Sequence, residues 1–279
     1  MACVFKHTSI ITLAIFAFVF TSCGGDKPDD NNDITTSDTS SVNITGKAIS
    51  AQNVFNSIPA RAEIITLIGD SKIEYNPDFL NNPEVASKYS LENSRALNLG
   101  AYGSDLSVSG AFDQTQESMI FLKCVNILAK NLGVSNSFDE KMVDRMSVNK
   151  SNRDSTLEIV SQSFKSADKY LKDNSRPGTS SLIVAGAWVE GIYLAINTAK
   201  ETKSEPIVKE IYGQSESLKY LIQLLEQSKI PEDATYILTD LKRLKTVFDA
   251  KKDNVFTVSS LSNLDKASIE LRTKIISGK

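Results

Sequence analysis

The stretch Ser181–Ala199 reads SLIVAGAWVEGIYLAINTA, and Glu190 is the only charged residue between Leu182 and Ile196. A helix that is apolar on every side must be enclosed by other elements or lie in lipid. A helix that crosses a bilayer needs about 20 apolar residues and rarely carries a charge at its centre. Because this run is shorter and contains Glu190, the sequence predicts a helix buried at the centre of a protein domain.

Helical patterns flank this stretch on both sides. Apolar residues recur at three- and four-residue spacing over residues 119–132 and 157–171, and again in segments after residue 204. The long alternating pattern typical of a strand does not occur in the sequence. We therefore predict an all-α fold over residues 51–279, a single bundle-like domain of about seven to nine helices around the central one.

Local signals mark several helix boundaries. Asp113 and Gln116 form a capping-box pattern, and Pro177 suits the first turn of the central helix. A helix is predicted over residues 90–107, although two glycines within it weaken the pattern. One further helix is predicted over residues 204–225, where apolar residues follow one side.

Residues 1–22 have the composition of a secretory signal peptide. Lys6 precedes an apolar core over residues 10–20, and small residues come just before Cys23. A Cys at this point resembles a bacterial lipobox, with Phe20 where Leu is usual, as in the looser lipoboxes of Bacteroidota lipoproteins. The resemblance implies cleavage before Cys23 and attachment of lipid, palmitate included, to that residue. The alternative is an uncleaved anchor helix.

Residues 23–50 are predicted to be a disordered tether that begins at the lipidated Cys23. The segment is rich in Asp, Asn, Ser and Thr, and its isolated apolar residues cannot bury enough surface to offset the cost of ordering. Gly24 stands where an Asp tends to retain lipoproteins in the inner membrane, so the resemblance points to the outer membrane. The acidic residues between Asp26 and Asp30 resemble a surface-export signal, and the periplasmic and surface-exposed faces both stay open.

Charge and residue counts exclude several functions. The net charge is −3, and loss of Lys6 with the leader leaves 30 basic against 34 acidic residues, so no positive surplus favours nucleic acid as a partner. The single histidine, His7, lies in the leader, which excludes Ser–His–Asp and Cys–His catalysis and histidine zinc sites in the processed chain. Cys124 is expected to be a small buried hydrophobe. We predict no metal site and no cofactor.

Glu190 is the first candidate for a functional site. A buried carboxyl has a raised pKa unless a cation or hydrogen bonds hold it, so Glu190 could be a general acid or a ligand-binding group. The favoured interpretation is a buried polar link to a neighbouring helix, for example to an arginine. Trp188 and Tyr193 beside it fit either a pocket wall or a tight helix crossing, and Gly186 and Gly191 are predicted to admit close helix contacts.

A second candidate region surrounds the segment 99–107, LGAYGSDLS, and the following FDQTQE of residues 112–117. It places glycines, Tyr102 and acidic residues around a predicted helix break. Asp105 and Glu117 could pair as general acid and base. The glycine spacing does not match a phosphate-binding loop, and acidic residues are too common in this chain to be diagnostic, so catalysis here is the less favoured hypothesis.

Four segments within residues 57–200 resemble a group of uncharacterised helical Bacteroidota lipoproteins. They are NLGAYGSDLS (98–107), FDQTQE (112–117), ADKYL (167–171) and AWVEG (187–191). The resemblance implies a location at the outer membrane, and it assigns neither an activity nor catalytic residues.

Two classes of function remain after these exclusions. The first is a non-enzymatic helical module of the cell envelope, attached to the membrane through lipid on Cys23, that binds an envelope protein or a small ligand or has a structural role. The alternative is a carboxylate-dependent hydrolase that uses Glu190 or Asp105. A dry, packed ion pair at Glu190 would favour the first class, whereas a water-accessible cavity with two facing acids would favour the hydrolase.

Overall fold

Nine α-helices and no strands make up the part of the chain that the computed structural model describes, namely residues 65–66, 68–69, 74–149, 152–251 and 255–278. The predicted all-α fold is thus confirmed, and these residues belong to one compact unit. The helices are α1 (Glu92–Ala111), α2 (Thr115–Leu132), α3 (Glu140–Val148), α4 (Arg153–Asp173), α5 (Pro177–Thr202), α6 (Glu205–Gly213), α7 (Ser215–Gln227), α8 (Thr235–Ala250) and α9 (Ser262–Ile276). The predicted signal peptide, Cys23 and the tether lie outside the described residues.

Short 3-10 turns link the helices. They cover Pro77–Phe79, Pro83–Lys88, Ser135–Ser137, Glu232–Ala234 and Val258–Leu261. The first two turns precede α1, and the side chains of Asn76 and Asn82 cap them by accepting hydrogen bonds from backbone N–H groups two residues further on. The segment between the two turns carries Asn81.

Helix α5 is the buried centre of the domain. It begins at Pro177, as predicted, and every residue from Gly178 to Glu190 is buried. Helices α1, α4, α6, α7 and α9 all pack against it. With 26 residues and a mean hydropathy of 1.5 over its most apolar window, α5 is long and apolar enough to cross a membrane, but 89% of that window is buried inside the protein. The surfaces that lipid would contact are therefore covered by other helices.

Two glycines allow α1 and α5 to cross in backbone contact. A Cβ added to Gly100 would lie 2.0 Å from the carbonyl oxygen of Ile183, and one added to Gly186 would lie 1.8 Å from that of Leu97. The Ser104 hydroxyl donates to the Ala187 carbonyl oxygen at 3.0 Å across the same crossing. Gly186 therefore admits the close helix contact that the sequence predicts.

The glycines of α1 do not interrupt the helix, although the sequence predicted that they would weaken it. Gly103 leaves room for the ring of Phe164, which would lie 2.3 Å from a Cβ at that position. Gly191 has nothing within 4 Å of an added Cβ, so the predicted close contact at Gly191 is wrong.

Two of the predicted helix boundaries are also wrong. Asp113 has a φ of 55° and lies in the turn between α1 and α2, and Gln114 precedes α2 without a side-chain cap. The segment over residues 204–225 forms two helices rather than one, and they are separated at the buried Gln214. The Gln214 amide donates to Glu210 Oε1 at 2.8 Å and its oxygen accepts from the Ser217 hydroxyl at 3.1 Å, which stabilises the break.

Candidate functional site

Glu190, in the middle of α5, forms a two-pronged ion pair with Arg272 of α9. Arg272 Nε donates to Glu190 Oε2 at 2.8 Å, and Nη2 donates to Oε1 at 2.9 Å. The Glu190 side chain is fully enclosed and that of Arg272 is only 11% exposed. Parallel bonds of this kind suit the planar guanidinium group and make the strongest type of carboxylate contact. The buried polar link to another helix, favoured from the sequence, is the arrangement that forms.

Three further groups hold the Arg272 guanidinium. Its Nη2 donates to Asn81 Oδ1 at 3.0 Å and to the Phe79 carbonyl oxygen at 3.4 Å. Its Cζ lies 4.0 Å from the ring centroid of Tyr193, a cation–π contact. Tyr193 is one turn from Glu190 on α5, so a single helix supplies both the anion and the ring that bind Arg272.

Asp105 of α1 joins this cluster through Asn81. The Asn81 side-chain amide donates to Asp105 Oδ2 at 2.7 Å, and its backbone N–H donates to the same oxygen at 3.3 Å. The other oxygen, Oδ1, is buried without a hydrogen-bond partner. Asn81 therefore bridges Asp105 and Arg272. Arg272 binds the carboxylate of Glu190 directly and is linked to that of Asp105 through Asn81.

Burial is the main cause of the raised pKa values of the two carboxyls in the cluster. Burial and the negative charge of Glu190 raise the pKa of Asp105 well above its ordinary value, and the hydrogen bonds from Asn81 only partly oppose them. Burial also raises the pKa of Glu190, against the charge and hydrogen bonds of Arg272. Arg272 binds Glu190 directly and opposes the rise of its pKa, whereas Asp105 contacts Arg272 only through Asn81, and its pKa is raised well above the ordinary value.

The candidate residues of the sequence are brought together only in part. Glu190 and Tyr193 contact Arg272 directly, and Asp105, from the second candidate region, is linked to it through Asn81. Tyr102 is buried beside the cluster, and its hydroxyl donates to the Asn82 carbonyl oxygen at 2.6 Å, which fixes the segment that carries Asn81. Trp188 lies elsewhere, with its ring centroid 6.2 Å from that of Phe248 on α8.

The partner of Asp105 differs from the one that its sequence neighbourhood suggested. The sequence suggests Glu117 as the second carboxyl. In the structure the carboxyl near Asp105 is that of Glu190, which lies 85 positions after Asp105 in the sequence. Arg272 and Asn81 were not singled out from the sequence. Arg272 follows the apolar Leu271 on an ordinary amphipathic helix, and Asn81 lies in an Asn-Asn-Pro loop, so neither has a local signal that marks it as buried and polar.

Chemically, the cluster joins separate parts of the chain rather than presenting groups to a substrate. It links the loop at Asn81, α1, α5 and α9, and every carboxyl oxygen of Glu190 and Asp105 is enclosed. A hydrolytic acid–base pair must reach a substrate and a water molecule. Here the charge of Glu190 is already neutralised by Arg272, so the geometry stabilises the fold and offers no open catalytic face.

Other reactive groups are also enclosed. Cys124 is a buried free thiol, as expected, and burial raises its pKa to about 11. A thiol with this pKa stays protonated at neutral pH and is a poor nucleophile. In the ranges that the structure describes, no group of three or more His, Cys, Asp or Glu side chains is placed to hold a metal ion.

Two of the clefts on the surface of the described residues are lined by neither Glu190 nor Asp105. The larger, of about 650 Å³, lies between α8 and α9 and reaches Tyr212 at the end of α6. The smaller, of about 190 Å³, lies beside the α1–α2 turn at Asp113 and reaches Met146 of α3 and Thr156 of α4. A ligand in either of these two clefts would contact surfaces that are separate from the buried cluster.

Comparison of the chain with protein-family models, with curated proteins and with solved structures finds no match. The fold and the site together define an all-α domain whose central helix is joined to α9 by a buried Glu–Arg ion pair.

Proposed function

We propose that this protein is a non-enzymatic binding or structural module of the cell envelope, held at the outer membrane by lipid on Cys23. The support for the anchor is the order of signals in the sequence: Lys6, an apolar core over residues 10–20, the Cys itself and a polar tether. A flexible tether of some 27 residues has an r.m.s. reach of about 30 Å, which would let the helical domain work away from the membrane surface.

The ion pair between Arg272 and Glu190 carries the non-enzymatic part of the proposal. Glu190 was the most unusual charged residue in the sequence, and its carboxylate is already bound by two nitrogens of Arg272. A carboxylate that is bound in this way is not available to a substrate, because a new contact would first have to break a buried ion pair.

The hydrolase alternative has less support. Its two acids do come together, and their raised pKa values are of the kind found in acid–base pairs. Both side chains are enclosed, however, and neither lines the two clefts. A buried ionic network that joins several segments perturbs pKa values in the same way without any catalytic role.

Metabolic labelling with an alkyne analogue of palmitate tests the anchor. Cells that express the wild-type chain or Cys124→Ala should give a labelled, membrane-associated protein, whereas Cys23→Ala should give no label. Cys124→Ala is the matched control because it removes the other cysteine that would remain after processing. Label that persists in Cys23→Ala would exclude lipid attachment at that residue.

Turnover assays test the non-enzymatic part. The purified chain is incubated with p-nitrophenyl esters, phosphates and glycosides, alongside Asp105→Asn and Glu190→Gln. We expect no release of p-nitrophenol above that of buffer. Release by the wild type that disappears in Asp105→Asn, while circular dichroism shows an intact helical fold, would instead support the hydrolase.

A further inference from the structure

We propose that residues 79–83 form a pH-dependent latch, which is closed while Asp105 and Glu190 share one proton and opens when that proton is lost to solvent. The latch goes beyond the proposed function, because it needs neither the lipid anchor nor a ligand. It accounts for two observations that the Glu190–Arg272 pair leaves unexplained. These are the buried Asp105 oxygen without a hydrogen-bond partner and the polar attachment of residues 79–83 to the helices.

The latch segment, residues 79–83, is attached to the helices through hydrogen bonds. Three of its backbone carbonyl oxygens accept from helix side chains: that of Phe79 from Arg272 at 3.4 Å, that of Asn82 from Tyr102 at 2.6 Å, and that of Pro83 from Cys124 at 3.7 Å. Of residues 77–88, all of which the structure describes, only Asn81 and Ala86 are buried. A segment with few buried apolar contacts opens at a lower free energy than a helical core does.

The two carboxyls beside the latch segment need a proton between them. Burial raises the pKa of Glu190, and the groups that oppose this rise are Arg272 and hydrogen bonds that include one with Asp105. Carboxylates can only accept hydrogen bonds, so one of the two acids must be protonated for that bond to form. Asn81 donates to Oδ2 of Asp105, whereas Oδ1 has no hydrogen-bond partner. A proton on Asp105 supplies the donor that this contact lacks.

One cation compensates these two acids. Arg272 binds Glu190 through two direct hydrogen bonds and reaches Asp105 only through Asn81. With the shared proton in place, the charges of the three ionisable groups sum to zero. Loss of the proton leaves one net negative charge in a buried site, which is costly. Opening of the latch segment relieves that cost, because water can then hydrate Asp105.

The other titratable groups whose pKa responds to Asp105 do not change charge in the same pH range. They are the buried or partly buried side chains of Tyr75, Tyr89, Tyr102 and Cys124. Burial raises the pKa of all four, and that of Cys124 to about 11. Between about pH 4 and pH 8 the phenols and the thiol therefore stay neutral. Among these groups, only the pair of Asp105 and Glu190 can respond to pH in that range.

The latch should weaken as pH rises. In the closed state burial and the charge of Glu190 raise the pKa of Asp105, whereas a hydrated aspartate has a pKa of about 4. The closed state therefore binds the proton more tightly than the open state. Its stabilisation is complete below about pH 4 and is lost as pH rises above that value. Because one proton is involved, the equilibrium constant for opening should increase by up to about tenfold per pH unit.

Cys124 reports on opening of the latch, because its thiol is buried and contacts the Pro83 carbonyl oxygen. The full-length chain in detergent is treated with N-ethylmaleimide between about pH 5 and pH 8, and the modified Cys124 peptide is followed by mass spectrometry. The rate for the same chain unfolded in urea at each pH is the reference, which removes the effect of pH on the thiol itself. Asp105→Asn removes the titrating group. Asp78→Asn is the matched control, since it makes the same change at an exposed position next to the latch segment.

We expect the ratio of the native to the unfolded rate to rise with pH in the wild type and in Asp78→Asn, by up to about tenfold per pH unit. The ratio should stay constant in Asp105→Asn. Protection of the amides in the middle of α5 against hydrogen exchange should not change over the same range, which separates opening of the latch from unfolding of the domain.

Three outcomes would overturn the latch: a wild-type ratio that is independent of pH, a pH dependence that persists in Asp105→Asn, or a loss of α5 protection in step with Cys124 modification. If Asp105→Asn does not fold, the first and third outcomes still decide, because both are measured on the wild type. Each result is independent of the lipid label on Cys23, so the latch and the proposed function fail separately.

Discussion

Arg272 of the last helix binds Glu190 at the midpoint of the central helix through Nε and Nη2, with N–O distances of 2.8 and 2.9 Å. The two residues are 82 positions apart in the sequence. Apolar contacts have no direction, so they specify the register of α5 against α9 less sharply than a buried polar contact does. A buried pair with fixed geometry restricts shifts between the two helices, and we attribute to it the register between α5 and α9.

Replacement of Arg272 by methionine should reduce the free energy of unfolding by about 3–5 kcal/mol, because Glu190 would be left buried without its cation. Urea denaturation followed by circular dichroism measures the change. Arg243→Met is the matched control, since the Arg243–Glu270 pair is 50% and 41% exposed, and its loss should cost about 0–1 kcal/mol.

A double variant, Arg272→Met with Glu190→Met, separates the ion pair from simple packing. Replacement of both partners by apolar groups of similar size often restores most of the stability that removal of one partner takes away. We therefore expect the double variant to be more stable than Arg272→Met alone. A double variant that is no more stable than Arg272→Met would contradict the cost assigned to a buried Glu190 carboxylate without its cation.

Asp105→Asn should make the domain less sensitive to pH. The native pKa of Asp105 is raised by burial and by Glu190, so the folded chain binds a proton more tightly than the unfolded chain does. The contribution of Asp105 to wild-type stability should therefore fall as pH rises through and above about 4, the ordinary pKa of an aspartate. Asparagine imitates the protonated acid at every pH, and its amide can donate from the position of the unpartnered Oδ1.

Urea denaturation of the wild type and of Asp105→Asn between about pH 4 and pH 8 measures this difference, because a raised aspartate pKa changes stability in that range. The stability of Asp105→Asn minus that of the wild type should increase with pH. A difference that stays constant with pH would show that folding does not shift the pKa of Asp105, and one that decreases with pH would show that folding lowers it; either result would contradict the raised pKa.

Replacement by alanine should change the stability of the domain in opposite directions at two glycines of the central helix. At Gly186 the new Cβ would lie 1.8 Å from the carbonyl oxygen of Leu97, so α1 and α5 would have to move apart, at a cost of about 3 kcal/mol or more. At Gly191 nothing lies within 4 Å, and alanine should stabilise the helix by roughly 0.5–1 kcal/mol. Thermal unfolding of Gly186→Ala and Gly191→Ala compares the two, and a loss at both positions would contradict the difference in packing.

These cases show which features can be read from a sequence. The burial of α5 follows from its composition, because a helix that is apolar all round must be covered. Its partners cannot be derived in the same way. Arg272 and Asn81 become distinctive only when the fold brings them to Glu190 and Asp105, and that proximity depends on how distant helices pack. Gly186 and Gly191 look alike in the sequence, yet only Gly186 faces the backbone of α1.

Local signals failed where a tertiary contact competed with them. The sequence pattern at Asp113 favours a helix cap, but the residue adopts a φ of 55° in the turn that brings α2 back onto α1. Likewise, the apolar side of residues 204–225 continues through Gln214, where buried hydrogen bonds to Glu210 and Ser217 separate α6 from α7. In both places the burial of neighbouring residues outweighs the preference of a short segment.

Helix α4 contains two Lys–Asp pairs that differ in burial rather than in spacing, and they should differ in their effect on stability. Both join residues four apart with N–O distances of 2.6 Å. Asp168 is buried and also accepts a hydrogen bond from the Ser180 hydroxyl of α5, whereas Asp173 is 60% exposed. Asp168→Ala would leave that buried hydroxyl and Lys172 without their acceptor, at a cost of about 1–3 kcal/mol.

Asp173→Ala is the matched control, because it removes the same group from the same helix and should change the urea midpoint very little. Since Asp168 also connects α4 to α5, its replacement should speed hydrogen exchange of the amides at the start of α5, which Asp173→Ala should not do. Similar losses of stability in the two variants would mean that the helical spacing of the pairs, and not the contact with Ser180, accounts for the contribution of Asp168.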